Sequence, residues 1–262
     1  MSADAGRGNA ARACAGIGPW PTDARALAAV QAELAAAEPG PWDPGPAPVV
    51  GGSYCCAARV RGGPAAEAAW TPTVEAEPGE AAGALEDERG WAGASRKVPG
   101  AQATVAVAEG LLPHPYRPGL LALREGPLRE TALRQLGALP DVVLVDATGR
   151  DHPRRAGLAL HLGAVLDVPT IGVTARPLLA DGDPPADAVR GARSPLRREG
   201  RLVGFWLHTR TGVRPVAVHA AWRTDPETAA RVVLAAAGRG RTPQPLREAR
   251  RAARAARGAA GG

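Results

Sequence analysis

Two acidic residues stand where they could do chemistry. Asp146 closes a continuous apolar stretch, residues 141–146, and Glu125 lies upstream in a leucine-rich segment. Carboxylate oxygens are the ligands that hard divalent cations prefer, so an acid at the end of a buried strand is a candidate metal ligand. On spacing alone, each has an ordinary alternative. Asp146 could cap the turn that follows it, and Glu125 could form a surface ion pair with Arg124 or Arg129.

A histidine, two arginines and a tyrosine accompany these acids. His152 precedes Pro153, a residue suited to the first turn of a helix, and Arg154 and Arg155 follow. Tyr116 stands in a proline-rich turn. The alternatives are a bystander histidine, a pair of exposed charges and a packing tyrosine.

Apolar patterning predicts the elements that must position these side chains. The predicted strands cover residues 49–56, 103–108, 141–146, 168–173, 202–209 and 215–219. The predicted helices cover residues 24–37, about 118–140, 152–165 and, as the last one, 226–237. Buried strands that alternate with helices are typical of an α/β fold, in which ligands bind outside the carboxyl ends of the strands.

The length of 262 residues suits one domain, which we place at residues 23–237. Residues 1–22 are typical of a disordered extension. Residues 61–100 show no clear alternation beyond a weak strand around Val74, and we interpret much of this stretch as an insertion. Residues 238–262 form a basic tail rich in arginine and alanine.

The charge is concentrated in this tail. The net charge is +6, and the tail carries seven arginines against one acid, Glu248. One interpretation is a solvated helical or frayed tail. The other is a non-specific grip on phosphates, whose affinity would fall steeply with salt.

The cysteines and the hydropathy pattern indicate the cellular compartment of the protein. Cys55 and Cys56 are adjacent, so on a strand they point to opposite faces and do not suit a disulfide. With Cys14 they show no zinc-type spacing, which fits a reducing cytosol. No apolar run reaches the 18 or so residues of a membrane span, and the first twenty residues lack a signal-peptide pattern. We therefore expect a soluble, cytoplasmic protein that does not bind membranes, and a monomer because no apolar interface helix is evident.

Four sequence blocks in order carry a specific resemblance. They are Pro115-Tyr116-Arg117-Pro118-Gly119-Leu120-Leu121, Leu123-Arg124-Glu125, Val145-Asp146-Ala147-Thr148-Gly149 and His152-Pro153-Arg154-Arg155-Ala156-Gly157. With residues 167–173, this region resembles the endonuclease V family, and weaker similarity spans about residues 24–237. The resemblance implies a single-domain α/β fold with a ribonuclease H-like mixed sheet and flanking helices.

The resemblance also implies a function. The family nicks DNA near deaminated purines, chiefly deoxyinosine, one nucleotide beyond the lesion on its 3′ side, in DNA repair. Single-stranded RNA is an alternative partner. Hydrolysis of the phosphodiester requires a divalent cation, Mg²⁺ or Mn²⁺. Asp146 matches the family's metal-binding aspartate, Glu125 its catalytic glutamate, and His152 a histidine that can hold a phosphate or water near the active site.

The resemblance assigns nucleic-acid contacts as well. Tyr116, with Pro118, matches a wedge that separates the strands while a pocket accepts the flipped base. Gly119, Leu121 and Gly149 match positions that line this pocket. Arg154 and Arg155 are candidates for contacts with backbone phosphates.

Three departures from the family pattern weaken the expected site. Ser53 stands where the first strand normally carries a metal-binding aspartate. Ala175 replaces an expected lysine, with Arg176 beside it, and Trp222 replaces a histidine, with His219 nearby. No other acid, such as Asp43 or the glutamates at positions 67, 75 and 77, has a suitable place on the strand.

These departures leave competing hypotheses. The first is an active nuclease with a weakened site, and the second is a nucleic-acid-binding protein of the same fold without turnover. A related hydrolase with a shifted substrate and a poorly folding gene product complete the alternatives.

Overall fold

The computed structural model describes residues 20–58 and 88–261. Within these ranges the chain forms eight strands and five helices. The strands are β1 (Val50–Ala57), β2 (Glu88–Lys97), β3 (Thr104–Leu112), β4 (Val142–Val145), β5 (Thr170–Thr174), β6 (Arg193–Arg198), β7 (Arg201–Leu207) and β8 (Val216–Ala220). The helices are α1 (Ala24–Ala36), α2 (Leu121–Arg134), α3 (Leu158–Leu166), α4 (Pro226–Ala237) and α5 (Gln244–Ala259).

All eight strands join one mixed sheet in the order β3-β2-β1-β4-β5-β8-β7-β6. The neighbours β1, β4 and β5 run parallel, and the remaining pairs are antiparallel. Strand β4 is buried on both faces. Val143 and Val145 pack into the cluster under α1, α2 and α3, and Val142 and Leu144 pack against α4 and α5. The predicted mixed α/β architecture with flanking helices is confirmed.

Strand β2 corrects the prediction of an insertion over residues 61–100, because residues 88–97 are part of the sheet. Its sequence is rich in small residues since helices pack closely on it. A Cβ on Gly93, for example, would overlap the backbone carbonyl of Ala249 in α5. Residues 59–87, with the weak strand around Val74, and residues 1–19 lie outside the described part of the chain. Strand β6 was not predicted.

The helix predicted from residue 152 is also corrected. Helix α3 begins at Leu158, after Gly157 in extended conformation, and Pro153 lies in a preceding turn. The turn is closed by a bond from the Arg155 amide to the His152 carbonyl, and Arg155 has a left-handed φ of 56°. This backbone conformation breaks the helical path that the proline suggested.

The basic tail forms helix α5, so α4 is not the last helix. Its buried face, which includes Pro245, Leu246, Ala249 and Ala253, covers β1 and β2. A Cβ on Gly52 in β1 would overlap the Pro245 carbonyl, so glycine is what allows this approach. The tail is therefore part of the packed domain. Within the described residues, no helix combines the length and apolar character needed to cross a bilayer.

One buried histidine couples the fold to pH. His161 in α3 is fully buried and stacks on Trp20, with ring centroids 4.3 Å apart. Its two ring nitrogens have no hydrogen-bond partner among the described residues. Burial lowers the pKa of His161 from 6.5 to about 4, so the folded state holds this ring neutral.

We expect His161→Phe to reduce the acid sensitivity of folding. Between pH 6.5 and 4 the unfolded chain binds a proton at His161 that the folded chain excludes, so stability falls as the pH drops through this window. The substitution should remove about 2 to 3 kcal/mol of the stability lost between pH 7 and 4.5. Urea unfolding at the two pH values measures the difference. His114→Phe, at a partly exposed site, is the control, and equal effects of the two substitutions would contradict the prediction.

Candidate active site

A cavity of about 360 Å³ opens at the carboxyl ends of β4 and β5. Its lining includes seven of the residues singled out from the sequence: Tyr116, Pro118, Gly119, Leu121, Glu125, Asp146 and His152. The turn before α2, the first turns of α2 and the loop after β4 supply them. The fold thus brings together the predicted wedge, part of the predicted base pocket and both predicted metal ligands.

Both carboxylates in this cavity contact arginines. Glu125 Oε2 accepts bonds from Arg129 Nε at 2.9 Å and Nη2 at 2.6 Å. Asp146 Oδ2 lies 3.1 Å from Nη2 of Arg250 on α5. The ion pair with Arg129, one of the two arginines proposed as ordinary partners of Glu125, is therefore present. The Asp146 carboxylate instead forms an ion pair with Arg250 on helix α5.

Ser53 lies beside Asp146 on the neighbouring strand. The Asp146 amide donates to the Ser53 carbonyl at 3.1 Å, and Ser53 pairs with Val145 in the parallel register of β1 and β4. The Ser53 side chain is fully buried, and its Oγ has no hydrogen-bond partner among the described residues. An orphaned hydroxyl therefore stands where the family pattern places a carboxylate.

The donor set suits a cation that is shared with a phosphate. Within residues 20–58 and 88–261 no group of three or more His, Cys, Asp or Glu residues is arranged to hold a metal. However, Glu125 Oε1 and Asp146 Oδ1 receive no hydrogen bond from the described residues. Mg²⁺ is commonly held by one or two carboxylates plus substrate phosphates and water. The two carboxylates that line the cavity, Glu125 and Asp146, fit that arrangement.

His152 connects two loops of the cavity. Its Nδ1 accepts from the Arg154 amide at 3.2 Å, and Nε2 lies 3.2 Å from the Gly119 carbonyl. This pattern assigns the proton to Nε2. Burial lowers the pKa of His152 to about 4, in keeping with a neutral ring. In this arrangement His152 fixes the turn that carries Tyr116, and it has no free ring nitrogen for a phosphate.

The turn before α2 exposes Tyr116, the residue predicted to act as a wedge. Tyr116, in this turn, is 68% exposed, which is unusual for a large aromatic side chain. Gly119 has φ +79°, a left-handed conformation that glycine adopts without strain. The turn is thereby held with its aromatic ring in solvent and its backbone at the cavity.

Three predicted contact residues lie outside the cavity lining. Gly149 lies so close to β8 that a Cβ there would overlap the Ala220 carbonyl. Arg154 is exposed and reaches Gln31 Oε1 at 3.3 Å. Arg155 lies in the turn before α3, half-buried. The packing accounts for Gly149, and of the two arginines Arg154 contacts a lining residue of the cavity, Gln31.

The departures from the family pattern have distinct surroundings. Ala175 is exposed, whereas Arg176 lines the cavity beside Glu125 and Asp146. Trp222 is fully buried in the core under α3. The cavity therefore has an arginine near the expected lysine position, and the tryptophan serves packing.

Cys55 also lines the cavity but is not poised as a nucleophile. Burial, with the neighbouring Glu125 charge, raises the pKa of its thiol to about 12. Cys55 and Cys56 are both free thiols.

The comparisons with known proteins identify the family. The Endonuclease V family model matches residues 97–251, which is more than half of the chain. The chain belongs to the endonuclease V family. Endonuclease V of a Roseiflexus species is 45% identical over 144 residues, which cover 55% of this chain and 64% of that relative. Endonuclease V of Nocardia farcinica is 45% identical over 146 residues, covering 56% and 64%.

Solved structures show the same fold. Endonuclease V from Streptomyces avermitilis superposes with a TM-score of 0.75 at 31% identity, over 93% of this chain and 96% of that one. A Ciona intestinalis endonuclease V in complex with a 24mer DNA containing an inosine followed by a ribo-adenosine superposes with a TM-score of 0.65 at 20% identity, over 88% and 95%. The predicted ribonuclease H-like class is thereby confirmed. The sequence matches span just under two thirds of the curated relatives' length.

A buried carboxylate that sequence reasoning missed fixes one wall of the endonuclease V cavity. Asp151 is fully buried and accepts bonds from the amides of Leu178, Leu179 and Ala180 at 2.5 to 2.8 Å. His219 Nδ1 lies 3.6 Å from Asp151 Oδ2, the oxygen that also accepts from the Leu178 amide. In the sequence, Asp151 is marked only by its place before His152-Pro153. That place does not indicate that its carboxylate binds the amide of Leu178, 27 residues away.

We expect Asp151→Ala to destabilise the fold by about 3 kcal/mol or more, because it leaves three buried amides without an acceptor. The loop from residue 176 to 180 should lose its protection in hydrogen exchange. Urea unfolding and exchange of these amides measure both effects. Asp187→Ala, an exposed acid in the same connection, should change stability by less than about 0.5 kcal/mol. A stable Asp151→Ala protein with a protected loop would contradict this account.

Proposed function

We propose that this protein is a metal-dependent endonuclease that nicks DNA 3′ to deaminated purines such as deoxyinosine, in DNA repair. The observation that carries the proposal is one cavity that holds Glu125 and Asp146 beside the exposed Tyr116. The family membership supports hydrolysis of a phosphodiester. The complex of the Ciona intestinalis relative with inosine-containing DNA supports the substrate class.

Each residue of the cavity has a proposed task. Extrusion of a base from the duplex costs a few kcal/mol of base stacking. The exposed ring of Tyr116 fills the gap that the base leaves and replaces part of this stacking. The Gly119 backbone lies at the cavity, where it can approach the edge of the extruded base. His152 holds that turn in place through the Gly119 carbonyl.

Glu125 and Asp146 would hold the divalent cation through their free oxygens, with the scissile phosphate as a further ligand. When bound, such a cation neutralises phosphoryl charge and lowers the pKa of water. The two carboxylates alone would bind the cation weakly, because Arg129 and Arg250 already balance their charges. An arriving phosphate brings the missing negative charge and can draw Arg250 away from Asp146. Metal and substrate should therefore bind cooperatively.

A second candidate function is recognition of deaminated nucleic acid without cleavage. It is favoured by the balanced charges just described and by the neutral hydroxyl of Ser53 beside Asp146. The wedge and the cavity do not depend on these charges. Binding therefore requires fewer intact features than turnover does.

A nicking assay separates the two candidates. We expect the protein with Mn²⁺ or Mg²⁺ to cut an end-labelled duplex one nucleotide 3′ of a single deoxyinosine. Asp146→Asn should abolish the cut, because it removes a metal-binding charge while keeping the side-chain shape. Gel shifts of the same samples measure binding, and an inosine-containing RNA oligonucleotide serves as the competing substrate. Inosine-selective binding with no cut would favour the second function, and the absence of both would overturn the proposal.

Restoring the charge at Ser53 tests the weakened site directly. We expect Ser53→Asp to tighten the apparent Mn²⁺ affinity at least about tenfold, because one added charge within about 4 Å of a divalent cation is worth about 2 kcal/mol even in water, and about 1.4 kcal/mol is tenfold. Ser53→Asn adds similar bulk without the charge and should leave the affinity unchanged. Mn²⁺ binding followed by electron paramagnetic resonance, and nicking at subsaturating Mn²⁺, are the two measurements. Equal effects of Asp and Asn would show that charge at this position does not limit the site.

A further inference from the structure

Helix α5 presents a row of arginines along β1. Arg250, Arg254 and Arg257 follow one another at spacings of four and three residues, which places them on one helix face. We call these three residues the arginine row. Arg251 lies off this face, about 100° around the helix from Arg250, and lines the surface near residues 100–105.

Each arginine of the row is held by β1 or by the strand next to it. Arg250 reaches Asp146, and its guanidinium carbon lies 4.9 Å from the centre of the Tyr54 ring. Arg254 lies 5.7 Å from the same ring and contacts the tyrosine hydroxyl at 3.4 Å. Arg257 donates to the Ala57 carbonyl at 3.3 Å. A guanidinium group that stacks on an aromatic ring is already ordered, so it loses less side-chain freedom when it binds two oxygens of a phosphate.

The row leads away from the candidate active site. It begins at Asp146 in the cavity and follows β1 from Tyr54 to Ala57. Seven helical residues rise about 10 Å, a distance that spans about three phosphates of one strand in B-form DNA. Within the described residues, Asp146 is the one acid that forms an ion pair with the row. Arg254 and Arg257 thus present positive charge that the described part of the chain does not balance.

We propose that the arginine row binds the sugar-phosphate backbone of the nucleic-acid strand that enters the cavity. This inference rests on the proposed function for the identity of the polyanion. Arg250 meets the phosphate at the cavity, and Arg254 and Arg257 meet the phosphates that follow on the same strand. The row sets the direction in which the nucleic-acid strand leaves the site. Its contacts with phosphates do not distinguish one base from another. The chain's concentrated basic charge thereby acts along one face of α5.

The salt dependence of binding tests the row. Fluorescence anisotropy with a labelled deoxyinosine duplex, repeated across KCl concentrations, gives the slope of log K against log salt. We expect Arg254→Ala/Arg257→Ala to lower the magnitude of this slope by about 2, because each lost phosphate contact contributes about 0.9. The matched control Arg239→Ala/Arg251→Ala removes the same charge from exposed positions off the row and should change the slope by much less. Arg254→Lys/Arg257→Lys keeps the charge and should restore most of the slope.

The outcomes separate this inference from the proposed function. Equal slopes for the row variant and the control variant would overturn the row, whatever the inosine preference. Competition by polyglutamate as strong as by an oligonucleotide of equal charge would also overturn it, in favour of an acidic protein partner. A slope that depends on the row, together with no preference for deoxyinosine over deoxyadenosine, would keep the row and overturn the proposed function. Circular dichroism of the variants checks that α5 remains folded.

Discussion

The guanidinium of Arg129 holds the site together. It is buried, and it bonds to the Glu125 carboxylate, the Ser53 carbonyl and, at 3.4 Å, the Asp146 carbonyl. One side chain thus joins α2, β1 and the end of β4. Burial lowers the pKa of Arg129, but Glu125, Cys55 and Asp146 outweigh this effect and raise it, so the charge persists. An unpaired charge at such depth is costly, and Glu125 is therefore a structural partner as well as a candidate ligand.

Both carboxylates of the site are thus already paired with arginines, and Arg176 adds a further positive charge to the cavity lining. In the described residues its two carboxylates face two arginines, Arg129 and Arg250, and the position beside Asp146 holds the hydroxyl of Ser53. A divalent cation gains little from carboxylates that arginines already balance, whereas a phosphate that arrives with it supplies negative charge to both the cation and the arginines.

The sequence predicted the parts of the fold that local patterns encode. Strand β4 and helix α4 follow from apolar runs, and Asp225 caps α4 by accepting a hydrogen bond from the Thr228 amide. The cavity residues from Tyr116 to Asp146 followed from the family resemblance. Their roles as ligands and wedge stay predictions.

What the sequence did not predict depends on distant contacts. Strand β2 is rich in small residues because α5 packs on it, and the sequence of neither element shows this alone. Helix α3 begins late because the chain at Asp151 turns inward to bind the loop after β5. The link from Arg250 to Asp146 joins residues 104 positions apart. No local periodicity encodes such pairings, so they emerge only from the packed structure.

The packing of α5 on β1 has a consequence for how the chain folds. Tyr54 and Arg254, which meet there, are 200 residues apart in the chain. Contacts of such separation form late, because closing a long loop costs entropy before any contact repays it. A ribosome-bound chain that has made every strand of the sheet still exposes the glycine-lined face of β1 until α5 emerges. That interval is when the nascent protein would be most vulnerable to aggregation and would most need a chaperone.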